Sequence, residues 1–337
     1  MKIGILGAGS WGIALTVLLS DNGHDVTVWS IDPDEIEMLN TYREHKTKLS
    51  GVKISDNVCF TTDLGLACKD AALIVMVVPS PYIRSTAKMV APYITKDQIV
   101  VNVSKGIEES TLMTLTEVIE EEIPGVCVGV LSGPSHAEEV GKRMPTTVVC
   151  SAHNQKTALM IQDVFISEYF RVYTSPDMLG IELGGALKNV IALAAGIADG
   201  LGCGDNTKAA LITRGISEIT RLGLAMGGKQ ETFAGLSGIG DLIVTCASTH
   251  SRNRRAGVLM GQGKTYKEAM DEVQMVVEGV YSAKAALMLS QKYQIEMPIV
   301  EMVNKVLFEN LPAKDALYLL LTRMRTVESK SLSWDES

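Results

Sequence analysis

The sequence lacks the cysteine patterns that bind zinc or form a disulfide framework. Its six cysteines stand at positions 59, 68, 127, 150, 203 and 246, and none belongs to a Cys-x-x-Cys pair. Most of them lie in apolar runs, so we expect buried, reduced thiols and no metal site. A strand that already includes residue 3 leaves no place for a signal peptide. Together these absences predict a protein of the cytoplasm.

The sequence also lacks an excess of basic charge and a long apolar run. It has 31 basic and 39 acidic residues, for a net charge of −8, which argues against nucleic acid as the main partner. Its longest apolar stretch, residues 190–198, is too short to span a bilayer, so no membrane insertion is expected. An acidic protein of this kind binds anions only where it gathers its few Lys and Arg side chains in one pocket.

The chain of 337 residues is long enough for two domains. Its first half alternates helical patterns with short runs that are rich in Val and Ile and mostly apolar on both faces. The predicted strands are residues 2–6, 26–29, 73–78, 99–103, 126–131 and 147–150. This alternation predicts an α/β domain with a doubly wound, Rossmann-type parallel sheet, which we place at residues 1–178.

The character of the sequence changes near residue 176, where long segments of helix-forming residues replace the Val-rich runs. The predicted helices are residues 181–199, 207–223, 266–271, 282–291, 298–308 and 312–321. This pattern predicts an all-helical second domain, which we place at residues 179–337.

A Gly-x-Gly-x-x-Gly motif follows the first predicted strand and opens a helix. In such a turn Gly7 permits the tight bend, Gly9 lets the backbone approach a pyrophosphate, and Gly12 lets the helix pack on the strand. The free N–H groups at the start of the helix then face the anion. The motif and its context together predict a site for NAD or NADP.

The choice between NAD and NADP normally depends on an acid or a cation at the end of the second strand. Here that strand ends at Ser30, Asp32 follows two residues later, and no Arg stands at the strand end to hold a 2′-phosphate. The sequence therefore leaves the cofactor preference open. Another acid, Glu278, lies between Val and Gly and is a candidate for binding ribose or amide groups.

Ligands of open α/β sheets lie outside the carboxyl ends of the strands. Lys105 is the only cation directly at such an end, where it either neutralises a phosphate of cofactor or substrate or is solvated. Gly133 and Ser135 belong to a turn that can present N–H groups and a hydroxyl. His136 is a candidate acid–base, although we favour a structural role for it.

Lys188 lies in a helix that is apolar around nearly its whole circumference, which predicts burial. Lys is almost never fully buried without a partner, and burial lowers its pKa toward neutrality. A general acid–base needs this property at physiological pH. A lysine that extends to the surface is disfavoured because few polar residues share its face. The adjacent Asn189 can orient a carbonyl, an amide or the lysine.

A second glycine-rich segment holds Asp241, which can pair with Lys188, accept hydrogen bonds from substrate hydroxyls or cap a helix. Further along, Ser251 is expected to cap a helix whose first turn contains Arg252 and Asn253. A hydroxyl, a guanidinium, an amide and free N–H groups in one place predict an oxyanion site.

The order and the residue sequences of these segments resemble those of the NAD(P)-dependent glycerol-3-phosphate dehydrogenase family, in its bacterial form. The segments are GAGSWG at 7–12, SKGIE at 104–108, SGPSHAEEV at 132–140, LKNVIALAAGIADGL at 187–201, GLSGIGDLIVTC at 235–246, SRNRRAG at 251–257 and VVEGVYSA at 276–283. They extend over nearly the whole chain. The sequence departs from the family at residues 30–31, where a basic residue or His is common, and at residues 48–51, where Tyr-Leu-Pro-Gly is common, so adenosine recognition is the least transferable feature.

The resemblance implies the reversible reduction of dihydroxyacetone phosphate to sn-glycerol 3-phosphate with NAD or NADP, which supplies the glycerophosphate backbone for phospholipid synthesis. It also implies a homodimer and Lys188 as proton donor and acceptor. The implied substrate contacts are Lys105, Gly133, Ser135, Lys188, Asp241, Ser251, Arg252 and Asn253. The implied cofactor contacts, besides the three glycines of the turn, are Ser10, Trp11, Lys105, Ala137, Arg252, Val276 and Glu278.

Two other functions stay open on the sequence alone. A β-hydroxyacid or sugar-phosphate dehydrogenase combines the same two kinds of domain and uses a helical Lys-Asn pair, but it needs a site for a substrate carboxylate that we do not identify. A non-catalytic dinucleotide sensor would keep the glycine turn, but it has no need of a buried lysine such as Lys188.

Overall fold

The computed structural model describes residues 1–325, 327 and 328, and an eight-stranded sheet fills its first half. The strands are β1 (Lys2–Leu6), β2 (Asp25–Trp29), β3 (Cys59–Thr61), β4 (Leu73–Met76), β5 (Ile99–Asn102), β6 (Cys127–Ser132), β7 (Thr146–Ala152) and β8 (Phe170–Thr174). Their order is β3-β2-β1-β4-β5-β6-β7-β8, which reverses between β1 and β4. The predicted doubly wound fold is confirmed, and the crevice at this reversal is where such sheets bind ligands.

The sheet is parallel, as predicted, except at one pair of strands, because β7 runs antiparallel to β6. The connection between them contains only a four-residue helix, Ala137–Val140. A parallel return usually carries the chain back along the sheet on a longer α-helix, and the helix here makes only about one turn. The sequence analysis also missed β3, which has three residues, and the edge strand β8, whose exposed positions interrupt the apolar run.

Sixteen α-helices lie in the described part of the chain. They are α1 (Ser10–Asp21), α2 (Pro33–Tyr42), α3 (Leu64–Cys68), α4 (Ile83–Val90), α5 (Leu115–Glu122), α6 (Ala137–Val140), α7 (Gln155–Phe165), α8 (Met178–Gly200), α9 (Asp205–Ala225), α10 (Gln230–Phe233), α11 (Asp241–Ala247), α12 (Arg252–Gly261), α13 (Tyr266–Val273), α14 (Glu278–Lys292), α15 (Pro298–Phe308) and α16 (Ala313–Leu321). The first seven belong to the sheet half, and the other nine form the predicted helical half. Thr326 and residues 329–337, the end of the predicted second domain, lie outside the described residues.

Helix α8 is the central element of the helical half. It is long and apolar enough to cross a membrane by length and composition, but 94% of its most apolar window is buried inside the protein, as in a core helix. Its first turn packs against the sheet half, because Ile181 contacts Val130 of β6 and Val149 of β7. One residue later, the buried Glu182 carboxylate accepts hydrogen bonds from the N–H and the hydroxyl of Thr116 in α5.

The backbones of helices α8 and α12 touch where the two helices cross, because both helices have glycines at the crossing. A Cβ added at Gly196 or Gly200 of α8 would collide with a carbonyl oxygen of α12. A Cβ added at Gly257 or Gly261 of α12 would collide in the same way with a carbonyl oxygen of α8. No larger residue fits at these four positions without moving one helix, so the glycines set the distance between the two helices.

The cysteines are less buried than the sequence analysis predicted. Cys68, Cys150 and Cys246 are buried, whereas Cys59 and Cys127 are exposed and Cys203 is intermediate. The expectation that most are buried is therefore wrong. Cys59 and Cys127 are the first residues of β3 and β6, at the edge of the sheet where the strands begin, and an apolar run does not indicate this position.

Replacement of Gly257 by alanine tests the glycine crossing. In an ordinary helix interior this change stabilises by about 0.5–1 kcal/mol, but here we expect a loss of about 1–3 kcal/mol because the helices must separate. Urea unfolding measures the difference. The comparison variant is Gly204→Ala at the N-cap of α9, where nothing lies within 4 Å of the added Cβ and no helix has to move, so its loss should stay below about 1 kcal/mol. A gain in stability for Gly257→Ala would show that the crossing tolerates a side chain.

Candidate active site

The glycine turn between β1 and α1 has the geometry that its motif predicts. Gly7 has φ of +125°, a conformation that side chains rarely adopt, and a Cβ at Gly12 would collide with the carbonyl oxygen of Gly7. The space around Gly9 is open, with nothing within 4 Å of an added Cβ. Gly9 directly precedes α1, whose first N–H groups have no acceptor within the helix. An open face over helix N–H groups fits a dinucleotide pyrophosphate.

The end of β2 carries a buried polar cluster that the sequence analysis did not foresee. The Ser30 hydroxyl donates to Glu35 Oε2 at 2.6 Å, and Glu35 Oε1 meets His45 Nε2 at 2.8 Å and Lys48 Nζ at 2.5 Å. Burial alone raises the pKa of Glu35, but the hydrogen bonds from His45, Lys48 and Ser30 outweigh it and lower the pKa to about 2. Asp32 caps α2 and accepts from the N–H of Asp34 at 3.0 Å. The cofactor preference therefore stays open.

A buried carboxylate between two lysines forms the centre of the site. Asp241, the first residue of α11, accepts from Lys188 Nζ through Oδ1 at 2.6 Å and from Lys105 Nζ through Oδ2 at 2.7 Å. The predicted pairing of Asp241 with Lys188 is thus confirmed. Lys105 also donates to the carbonyl oxygen of Gly133 at 2.9 Å, so its ammonium joins the ends of β5 and β6 to α11.

Burial and neighbouring charges shift the pKa of Lys188 and that of Asp241. Burial has the largest effect on Lys188 and lowers its pKa, Asp241 opposes this shift, Lys105 reinforces it, and the resulting pKa is about 8. Burial on its own raises the pKa of Asp241, but the two lysines outweigh burial and lower it. The carboxyl group therefore stays ionised at neutral pH, while Lys188 titrates within reach of physiological pH.

Thr245 completes the environment of Lys188, and the sequence analysis missed it. Its hydroxyl lies 2.6 Å from Lys188 Nζ and also 2.6 Å from the main-chain oxygen of Asp241. It stands four residues after Asp241 on α11, so both side chains lie on one face of the helix. That spacing, on an otherwise apolar helix, is the signal that would have found it.

The turn after β6 approaches the same centre. Gly133 has φ of +137°, and its carbonyl oxygen accepts the hydroxyl of Ser135 at 2.9 Å. His136 follows, and its Nε2 atom is buried without a hydrogen-bond partner among the described residues. Burial, reinforced by the positive charge of Lys188, lowers the pKa of His136, which is therefore neutral at pH 7.

The start of α12 has the predicted cap, while the oxyanion site there stays a prediction. Ser251 caps the helix, and its hydroxyl oxygen accepts from the N–H of Arg254 at 3.2 Å. Asn253 is buried: its amide donates to Asn189 Oδ1 at 2.9 Å, and its oxygen accepts from the N–H of Gly279 at 2.8 Å. The side-chain oxygen of Asn189 therefore faces Asn253 instead of orienting Lys188.

Most of the other predicted cofactor residues lie at or just before the starts of helices. Ser10 and Ala137 are buried at the starts of α1 and α6, and Trp11 is half-buried. Val276 is half-buried two residues before Glu278, the first residue of α14. Glu278 accepts two hydrogen bonds from Ser80, which follows β4 and which the sequence analysis assigned no role.

Two family models match this chain. Residues 2–158 match the N-terminal part of NAD-dependent glycerol-3-phosphate dehydrogenase, and residues 177–318 match its C-terminal part. The glycerol-3-phosphate dehydrogenase (NAD(P)+) of Agathobacter rectalis is 61% identical over 99% of both chains. The protein of the same name from Bacillus subtilis is 51% identical over 98% of this chain and 97% of its own.

Solved structures give the same result. The crystal structure of glycerol-3-phosphate dehydrogenase from Coxiella burnetii matches with a TM-score of 0.93 and 37% identity, over 96% of this chain and 99% of its own. A ketopantoate reductase from Ralstonia eutropha matches with a TM-score of 0.61 but only 16% identity, which indicates a shared fold and no more.

Replacement of Asp241 by asparagine tests the charge balance at the centre. The buried ammonium group of Lys188 and the partly buried one of Lys105 would then lack their counter-charge, so we expect a loss of about 3–5 kcal/mol in the free energy of unfolding. Denaturant titration measures it. In the control, Asp21→Asn removes the partner of Arg143 in a half-exposed pair and should cost less than about 1 kcal/mol. Equal effects would contradict a central role for Asp241.

Proposed function

The chain belongs to the NAD-dependent glycerol-3-phosphate dehydrogenase family, and from that premise we propose which of its residues carry out the family's reaction. The enzyme is an NAD(P)-dependent oxidoreductase that interconverts dihydroxyacetone phosphate and sn-glycerol 3-phosphate. Family membership favours this activity over the other dehydrogenases and the dinucleotide sensor considered above.

The observation that carries the assignment is the number of hydrogen bonds that Lys188 makes. A protonated lysine has three donors, and Asp241 and Thr245 accept two of them. Thr245 donates its own proton to the main-chain oxygen of Asp241, so it can only accept from the lysine. One N–H of Lys188 therefore remains for a substrate oxygen.

The same arrangement serves both directions of the reaction. When bound, the nicotinamide supplies the hydride for reduction or accepts it for oxidation. During reduction, protonated Lys188 donates its third proton to the oxygen that was the ketone of the substrate. During oxidation, neutral Lys188 keeps both hydrogen bonds to Asp241 and Thr245, and its lone pair accepts the proton of the substrate hydroxyl.

Asp241 and Lys105 prepare this proton transfer. Asp241 holds both ammonium groups and fixes the direction in which Lys188 points. Lys105 uses two donors on Asp241 and Gly133, which leaves its third donor for a substrate or cofactor oxygen. Both cations stabilise negative charge that develops on the substrate oxygen in this buried place.

The phosphate of the substrate is assigned to the start of α12. The hydroxyl of Ser251 has a proton to donate, since its oxygen is what caps the helix. One amide hydrogen of Asn253 remains after its bond to Asn189, and Arg252 adds a guanidinium. Gly133 and Ser135 close the site from the sheet side. Binding energy at the phosphate then orients the reacting carbon.

The cofactor is assigned to the crevice that runs from the glycine turn to α14. NAD and NADP both remain candidates. The residues proposed to hold it are Gly7, Gly9, Ser10, Trp11, Gly12, Lys105, Ala137, Arg252, Val276 and Glu278.

We further propose that the enzyme is a homodimer located in the cytoplasm. Its product supplies the glycerophosphate backbone of phospholipids.

A rate assay tests the activity directly. We expect dihydroxyacetone phosphate to drive oxidation of NADH, of NADPH or of both, followed by absorbance at the nicotinamide band. Lys188→Ala should lower kcat by about 100- to 10,000-fold, because the proton donor and its hydrogen bond to the substrate oxygen are lost, while cofactor binding should be retained. Near wild-type turnover in that variant would refute the acid–base assignment, and no oxidation by the wild type with either cofactor would refute the activity.

The pKa of Lys188 predicts opposite pH profiles for the two directions. Reduction needs the protonated lysine, so kcat/KM for dihydroxyacetone phosphate should fall as the pH rises through about 8. Oxidation needs the neutral lysine, so kcat/KM for glycerol 3-phosphate should rise through the same pH. If kcat/KM changed with pH in the same sense for reduction and for oxidation, Lys188 would be excluded as the titrating group.

A further inference from the structure

Ser80 and Glu278 join the two halves of the molecule beside the cofactor crevice. Ser80 follows β4 in the sheet half, and Glu278 begins α14 in the helical half. The N–H of Ser80 donates to Glu278 Oε1 at 3.1 Å, and the hydroxyl of Ser80 donates to Oε2. Because each carboxylate oxygen takes one donor from the same residue, both the position and the plane of the carboxylate are fixed.

The sheet order places this pair on the nicotinamide side of the crevice. β1 lies between β2 and β4, and the end of β2, where Ser30 stands, is on the adenosine side. An added Cβ at Gly7 would lie 3.1 Å from the backbone of Val77, so the turn that faces the pyrophosphate touches the chain just after β4. A dinucleotide that crosses this turn therefore extends its nicotinamide nucleotide toward Ser80.

Gly106 connects the pair to the catalytic centre. A Cβ at Gly106 would collide with the side chain of Ser80 and lie 3.7 Å from Glu278 Oε2. Its neighbour Lys105 is bonded to Asp241. The Glu278 carboxylate is thus packed against the loop that carries one of the two lysines of the centre.

The Glu278 carboxylate has hydrogen-bond acceptor positions left for a ligand. An ionised carboxylate has about four acceptor positions, and Ser80 uses two of them. Burial raises the pKa of Glu278, while hydrogen bonds from Ser80 and the nearby charge of Arg252 oppose that shift. A partly buried carboxylate with unused acceptor positions favours hydroxyl donors, and the ribose of a nucleotide supplies two.

We propose that Ser80 is a positioning residue that holds the Glu278 carboxylate for the ribose hydroxyls of the nicotinamide nucleotide. This inference rests on the proposed role of Glu278 in cofactor binding. Ser80 acts through Glu278, so its loss should weaken the nicotinamide end of the cofactor and leave the adenosine end unchanged.

Calorimetric titration of the wild type and of Ser80→Ala with NADH and with ADP separates the two ends. We expect Ser80→Ala to raise the Kd for NADH by about 10-fold, as the loss of hydrogen bonds to a charged group predicts. The Kd for ADP should not change, because ADP lacks the nicotinamide nucleotide. A merely structural effect of the mutation would raise both values.

Two further variants sharpen the test. Glu278→Gln should raise the Kd for NADH, and the double variant with Ser80→Ala should be no worse than Glu278→Gln alone, because Ser80 has no function without the carboxylate. Gly106→Ala keeps the hydroxyl but displaces Ser80, so it should reproduce the effect of Ser80→Ala. The matched control is Ser85→Ala, whose exposed hydroxyl bonds only to the main-chain oxygen of Tyr82.

Several results would overturn the proposal. They are an unchanged Kd for NADH in Ser80→Ala, equal rises for NADH and ADP, or additive effects in the double variant. The titrations do not depend on turnover. If the wild type binds NADH but does not reduce dihydroxyacetone phosphate, the proposed function fails while this test still gives its own answer.

Discussion

The contact between the backbones of α8 and α12 determines where the polar groups of the site lie. Glycines on both helices bring the two backbones together, and no side chain can enter between them. Asn189, in the middle of α8, can therefore reach Asn253 in the first turn of α12, and Asn253 in turn reaches the N–H of Gly279 in α14. Lys188 is adjacent to Asn189, so its position relative to the start of α12 is fixed by the same contact.

The charges at the centre do not cancel, and this imbalance suits an anionic substrate. Two lysines share one carboxylate, which leaves a local excess of one positive charge in a buried place. The protein as a whole carries a net charge of −8. An acidic chain thus keeps a small cationic pocket, and a phosphate or a developing alkoxide relieves the repulsion between the two ammonium groups.

The sequence predicts those parts of the fold and site that depend on local chemistry. The glycine turn is recognisable because its backbone needs no partner distant in sequence, and Lys188 stands out because a lone cation in an apolar helix is costly unless paired. The antiparallel direction of β7 was missed because a strand's own residues do not show which end of the sheet it enters. Ser80 has a role only through Glu278, which is far away in sequence, so no local pattern reveals it.

The burial of α8 has a consequence for the order in which the chain is made. Helix α8 ends about 50 residues before α12 begins, so at a synthesis rate of about 5–20 residues per second its partner follows about 3–10 seconds later. During this interval α9, α10 and α11 are made and can pack on this long apolar helix, but the glycine face that α12 covers has no partner yet. The nascent chain therefore passes through a stage that exposes one face of a helix as apolar as a membrane span, and shielding by a chaperone would matter most at that stage.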